Sequence, residues 1–137
     1  DYVSHQVIAS PFKPIDYMDK IDVLAARYLD DTKILCKYLT IELKKDEAGK
    51  STIDQVLKYV DWVCTEYAYG DYEMIEACII AADYEEDVGN YYWEVVQRHY
   101  TRGSHPVRNK QWSGLKLLKY ICIENRIVYE DVTPQTH

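Results

Sequence analysis

Ile41-Glu42-Leu43-Lys44, followed eleven residues after Lys44 by Gln55-Val56-Leu57-Lys58-Tyr59, is the stretch that decides how this chain is read. On an extended strand, side chains two positions apart share a face. Glu42 and Lys44 therefore present a carboxylate and an ammonium together. Upstream, Lys20-Ile21-Asp22-Val23-Leu24 is an apolar run around one acid, Asp22, twenty residues before Glu42. Two acids and a lysine on one sheet face are what metal-dependent phosphodiester cleavage requires. No other pattern in the sequence points to a reaction.

The flanking segments supply the context. Residues 2–9 and 20–29 read as strands, with Ser10-Pro11-Phe12-Lys13-Pro14 breaking the first. Asp30-Asp31-Thr32 reads as a turn, and residues 33–44 as a third strand through Ile34, Leu35, Tyr38, Leu39 and Ile41. Asp46-Glu47-Ala48-Gly49-Lys50 is a polar connection. Ser51 or Thr52 then suits an N-cap, with Asp54 and Gln55 in the first turn. The helix runs to about Tyr69 and ends at Gly70, its apolar positions Ile53, Val56, Leu57, Val60 and Cys64 at helical spacing. Residues 73–82 hold the run Ala77-Cys78-Ile79-Ile80-Ala81-Ala82, which suits a buried strand. A second helix is expected within residues 84–100, interrupted at Gly89 and Asn90. Gly103-Ser104-His105-Pro106 is a loop, and residues 115–123 and 127–132 form a hairpin around Glu124-Asn125-Arg126. The order strand, strand, strand, helix, strand, helix, hairpin predicts an α/β sandwich on a mixed sheet.

Pairing the second and third strands as a hairpin centred near Thr32 puts Asp22 opposite Glu42, each ten residues away. Opposite residues share a face, and Lys44 joins them; a register slip of one residue undoes the alignment. Two adjacent carboxylates repel, and a divalent cation between them removes that penalty. Magnesium keeps several waters, one of which serves as nucleophile. Lys44 is placed to orient that water or hold a phosphate oxygen, and the Leu43 carbonyl to add a ligand. Gln55 and Tyr59, one helical turn apart, share a face. Gln55 is expected near the metal and Tyr59 against the nucleic-acid backbone.

Asp22, Glu42-Leu43-Lys44 and the Gln55/Tyr59 pair together resemble the core of the PD-(D/E)XK nuclease superfamily, most closely its RecB-like and NucS-type branches. The resemblance covers about residues 18–82. It implies a restriction-endonuclease-like mixed β-sheet flanked by helices and a deoxyribonuclease activity on DNA. It implies Mg2+ or Mn2+ as cofactor, held by Asp22 and Glu42, with Lys44 assisting and Gln55 and Tyr59 supporting the site. The chain departs from many relatives in one respect: residues 1–19 show no acidic helix before the first core strand.

Charge and cysteines bound the remaining possibilities. The 137 residues suit one domain, 47% hydrophobic and carrying a net charge of −7, and the chain is expected to be part of a longer protein. That charge argues against unspecific nucleic-acid binding. It is also segregated: Glu66, Asp71, Glu73, Glu76, Asp83, Glu85, Glu86, Asp87 and Glu94 fill residues 66–94 without a Lys or Arg. Arg98, Arg102, Arg108, Lys110, Lys116 and Lys119 then fill residues 95–123 without an acid. Among them, Arg98, Arg102, Arg108 and Lys110, interleaved with aromatics, are candidate nucleic-acid contacts; the alternative is a solvated surface balancing the acidic segment. Cys36, Cys64, Cys78 and Cys122 form no CxxC pair and read as reduced, mostly buried thiols, which favours a cytoplasmic protein. No run approaches the roughly 20 apolar residues of a bilayer span, and no signal peptide is expected from residues 1–5, which lack a basic start and an apolar core. The partners expected are DNA, and other domains of a longer chain or a second copy. Two rivals to a nuclease stand beside it. One is a nuclease-like fold with a decayed site acting as a binding module; the other is a sugar hydrolase using the Asp22/Glu42 pair.

Overall fold

The computed structural model describes residues 2–8, 20–29 and 32–135. In chain order its elements are β1 (Tyr2–Ile8), β2 (Lys20–Tyr28), β3 (Leu35–Ala48), α1 (Lys50–Glu66), a 3-10 turn (Tyr72–Met74), β4 (Ile75–Tyr84), α2 (Val88–Val95), β5 (Arg98–Arg102), β6 (Arg108–Trp112), β7 (Leu115–Ile123) and β8 (Arg126–Asp131). Six strands form one sheet in the order β1-β2-β3-β4-β7-β8, and β5 pairs with β6 separately. The strands β1, β2 and β3 run antiparallel, β3, β4 and β7 run parallel, and β8 returns antiparallel to β7. This is the mixed α/β sheet that the sequence implies. The strand β3 is its seam, because α1 crosses over to bring β4 alongside it in parallel.

The helical layer covers one sheet face. Register sets Thr40 beside Ala77, Glu42 beside Ile79 and Lys44 beside Ala81. Ile75, Ala77, Ile79 and Ala81 pack with Ile53, Val56, Val60 and Val63 of α1 in one buried cluster. Each fully buried Ile or Val side chain among these contributes about 1.5–3 kcal/mol. Tyr92 of α2 enters the same cluster and its hydroxyl donates to the Leu115 carbonyl at 2.7 Å. The Trp112 indole donates to the Ile75 carbonyl at 2.9 Å.

Several boundaries differ from expectation for identifiable reasons. Backbone pairing with β4 carries β3 through Lys45, Asp46 and Glu47 to Ala48, across a register shift between Lys44 and Glu47. The supposed polar connection is thus mostly strand. The helix then starts at Lys50 with Gly49 as N-cap and no side-chain cap, so neither Ser51 nor Thr52 holds that position. A Cβ at Gly49 would overlap the Glu85 carboxylate, which sits against it. At the other end α1 stops at Glu66, and the chain reverses through Tyr69 (φ 52) and Gly70 (φ 83), whose N–H donates to the Cys64 carbonyl at 3.0 Å. The fourth strand runs Ile75–Tyr84 instead of 73–82, because the 3-10 turn takes its first residues. The second helix is shorter than expected, and β5–β6 is an additional hairpin. The β7–β8 hairpin turns at Glu124 and Asn125, both at positive φ (47 and 63), as a two-residue hairpin loop requires. The break at Ser10–Pro14, and Asp30 and Asp31 of the first turn, lie outside the described residues.

Candidate active site

The strands β2 and β3 pair with Val23 opposite Ile41 and Leu24 opposite Thr40. Each pair is equidistant from Thr32, so the register that aligns Asp22 with Glu42 is the one present. A bulge between Arg27 and Tyr28 absorbs the turn without shifting it. Beyond Val23 the Asp22 carboxylate takes over from the backbone ladder: its Oδ2 accepts the Leu43 N–H at 2.9 Å. Its Oδ1 accepts from the Gln6 side-chain amide at 2.9 Å.

Glu42 is 3% exposed. The Lys44 ammonium donates to its Oε1 at 2.8 Å, while Oε2 is buried with no hydrogen-bond partner. Burial raises the Glu42 carboxyl above its ordinary range; the Lys44 hydrogen bond opposes that, and the neighbouring Asp22 charge adds to it. Burial and the Asp22 charge together disfavour the carboxylate by more than Lys44 offsets. A divalent cation bound there would add the further positive charge. The donor set of two carboxylates, one unpartnered oxygen and the Leu43 carbonyl on the same strand fits a hard, oxygen-preferring ion that keeps several waters. Among the described residues no group of three or more His, Cys, Asp or Glu side chains could hold a metal. Water or substrate oxygens therefore have to complete any coordination shell.

Gln55 and Tyr59 form a chain of hydrogen bonds to the start of β2. The Gln55 amide donates to the Tyr59 hydroxyl, which donates to the Lys20 carbonyl at 2.7 Å. Tyr59 is 1% exposed, so it is not a surface contact for a nucleic-acid backbone; packing of α1 on the sheet turns its ring inward. The pair ties α1 to the first residue of β2, two positions before Asp22. Sequence reasoning missed Gln6, which has a positive φ of 54 inside β1. That conformation is costly for a residue with a side chain and carries no sequence signature. It also missed Thr40, buried on the same face as Glu42 with its hydroxyl unpartnered.

The basic residues are placed differently. Arg98 grips Asp61 of α1 through Nε at 2.7 Å and Nη2 at 3.1 Å. Arg102 bonds Glu73 and lies 3.4 Å from Asp71, and Lys110 reaches Glu73 at 3.0 Å. Arg108 alone of the four makes no ion pair among the described residues. Three of the four candidate phosphate contacts are thus neutralised from within the chain. A concavity of about 570 Å³ opens among Lys37, Glu73, Arg102 and Gly114 at the amino ends of β3, β4 and β7, away from Asp22 and Glu42. Cys64 and Cys78 are buried, and burial raises the Cys78 thiol to about 11; Cys36 is half-buried and Cys122 exposed, short of the mostly buried set expected. No helix among the described residues is long and apolar enough to cross a membrane.

A mixed sheet crossed by one helix, with paired acids where an antiparallel strand meets the seam, defines the fold class. No protein-family model and no curated protein matches the chain. Among solved structures, a repair endonuclease from Pyrococcus abyssi is similar over 67% of this chain and 36% of its own, at 21% identity and a TM-score of 0.42. An EndoMS–dsDNA complex is similar over 60% and 30%, at the same identity and TM-score. The chain spans about a third of the length of these structures.

Proposed function

We propose that this chain is a metal-dependent DNA endonuclease domain of PD-(D/E)XK type, hydrolysing phosphodiester bonds in a repair, restriction or defence setting. The observation that carries the reading is Glu42: a buried carboxylate with one oxygen on Lys44, the other unpartnered, and Asp22 beside it. Asp22, Glu42 and the Leu43 carbonyl would hold Mg2+ or Mn2+. When bound, the ion neutralises phosphoryl charge and lowers the pKa of a coordinated water. Lys44, about one third exposed, is free to turn its ammonium from Glu42 toward a phosphate oxygen or the attacking water. Gln6 and the Leu43 N–H fix the Asp22 carboxylate. Gln55 and Tyr59 act as positioning residues by anchoring the start of β2.

The test is plasmid cleavage in Mg2+ and Mn2+. Glu42→Ala and Lys44→Ala should each abolish cleavage with the circular-dichroism spectrum unchanged; full activity in either variant discards the site. A second reading, a nuclease-like fold that binds nucleic acid or protein without cutting, draws on the neutralised basic residues and the small acidic set. It is separated by metal-linked stabilisation. A rise in melting temperature with Mn2+ that vanishes in Asp22→Asn supports the metal site, whereas no rise in the wild type supports the binding module.

A further inference from the structure

The strand β8 ends the six-stranded sheet, and all six of its residues, Arg126 to Asp131, are exposed. The sheet interior does not explain its composition. Ile127, Val128 and Tyr129 are 60%, 47% and 55% exposed, and Ile121 and Ile123 on the paired strand are 40% and 52% exposed. The strand β4 pairs with β7 only as far as Lys119, so the rest of the β7–β8 hairpin projects beyond its neighbour with apolar side chains on both faces. Such an edge templates pairing with another strand.

The order of residues on that edge selects the other strand. The hairpin closes at Ile123 opposite Arg126. In a two-residue hairpin the closing pair is hydrogen-bonded, and hydrogen-bonded pairs alternate. Arg126, Val128 and Glu130 therefore direct their backbone groups to β7, and Ile127, Tyr129 and Asp131 direct theirs outward. A second copy related by a two-fold axis perpendicular to the sheet pairs antiparallel with residues of like parity opposite one another. Centred on Val128, that register sets Ile127 against the second copy's Tyr129, with both outward backbone groups matched. It sets Val128 against its own counterpart and Arg126 against Glu130 of the second copy. Opposite charges fall across the interface twice, and the apolar residues fall between them. Centring on Tyr129 instead sets Val128 against Glu130 and Ile127 against Asp131, two mismatches. Neither Arg126 nor Glu130 has an ion-pair partner among the described residues.

We infer that β8 is a homodimer interface, in which two copies join their sheets through antiparallel β8–β8 pairing centred on Val128. Arg126–Glu130 pairs flank the centre and set the register. Opposite-charge cross-strand pairs stabilise and like charges directly opposite destabilise. Reversing one charge thus converts two attractions into two repulsions.

The experiment is analytical ultracentrifugation of the 137-residue chain over a concentration series, with circular dichroism as the folding control. The wild type should show a monomer–dimer equilibrium. Arg126→Glu and Glu130→Arg, both at exposed positions, should each weaken it by about tenfold or more. An equimolar mixture of these two variants should form a heterodimer, because each then meets the opposite charge on the other. Val128→Lys, which sets two ammonium groups face to face, should also abolish the dimer. A wild type that stays monomeric at every concentration overturns the inference. So does a dimer indifferent to Val128→Lys, or two charge-reversed variants that fail to associate with each other.

Discussion

The acids Asp22 and Glu42 of the β2–β3 pair and the cations of β5–β6 both stand out in the sequence, yet they have opposite fates in space. Asp22 and Glu42 come together, and their nearest cation, Lys44, satisfies only one of Glu42's oxygens. Arg98, Arg102 and Lys110 meet Asp61, Asp71 and Glu73 and are neutralised. The first arrangement leaves charge in need of an external partner, and the second leaves little to offer one. A run of like charge in a sequence therefore says little about a surface until the elements that pack against it are known. A deficit at a buried atom is the stronger sign of a ligand.

Four outcomes would break or sharpen this contrast. The largest concerns cleavage: Glu42→Gln, which keeps shape and removes charge, should lower the rate by about 10²-fold or more. Arg102→Ala should change it by less than about threefold, measured on the same plasmid substrate. Equal losses would erase the distinction between the two regions. Next, Arg98→Ala should destabilise by about 1–2 kcal/mol in urea denaturation, because the half-exposed Asp61 loses two charged hydrogen bonds.

The third outcome is a pH effect of opposite sign. The folded Glu42 carboxyl sits above its unfolded value, so the native state binds that proton more tightly. Its contribution to stability is complete below the ordinary value of 4.5 and is lost as pH rises through the raised value. In chelator, Glu42→Gln should therefore melt higher than wild type at neutral pH, with the gap closing as pH falls below 4.5. A gap that widens toward acid would refute the burial argument. The smallest effect is expected from Arg102→Ala on stability. An exposed arginine sharing two acids contributes about 0.5 kcal/mol or less, to be checked by the same urea titration.

How much of this was legible beforehand depended on whether the cause was local. The Asp22–Glu42 register followed from two apolar runs of matched length around one turn. The helix α1 followed from its spacing, and the β7–β8 hairpin from its apolar strands and central Glu-Asn. The hairpin β5–β6 was not legible. Its two five-residue strands carry polar and charged side chains at most positions, with no alternation strong enough to separate them from a helix end. The polar tail of β3 was missed for a related reason, since pairing with β4 decides its conformation. The Arg98–Asp61 pair spans 37 residues, and Gln6 reaches Asp22 through a backbone conformation that composition does not encode. Tyr59 showed the right spacing but the wrong destination, since only the packing of α1 reveals that its hydroxyl turns inward.

Apart from Gln6, every polar side chain that the proposed site uses, among the described residues, comes from the single stretch between Asp22 and Tyr59. The remainder, from β4 to β8, supplies volume, strand pairing and an edge. Saturation mutagenesis should accordingly split the molecule into two regimes of tolerance. In the earlier stretch the proposed site makes the chemical identity of Asp22, Glu42 and Lys44 decisive, so even isosteric swaps there should abolish cleavage. In the later stretch, outside Arg98 and the charged residues of β8, substitutions that keep the apolar pattern should be tolerated, so sequence there can drift while the fold persists.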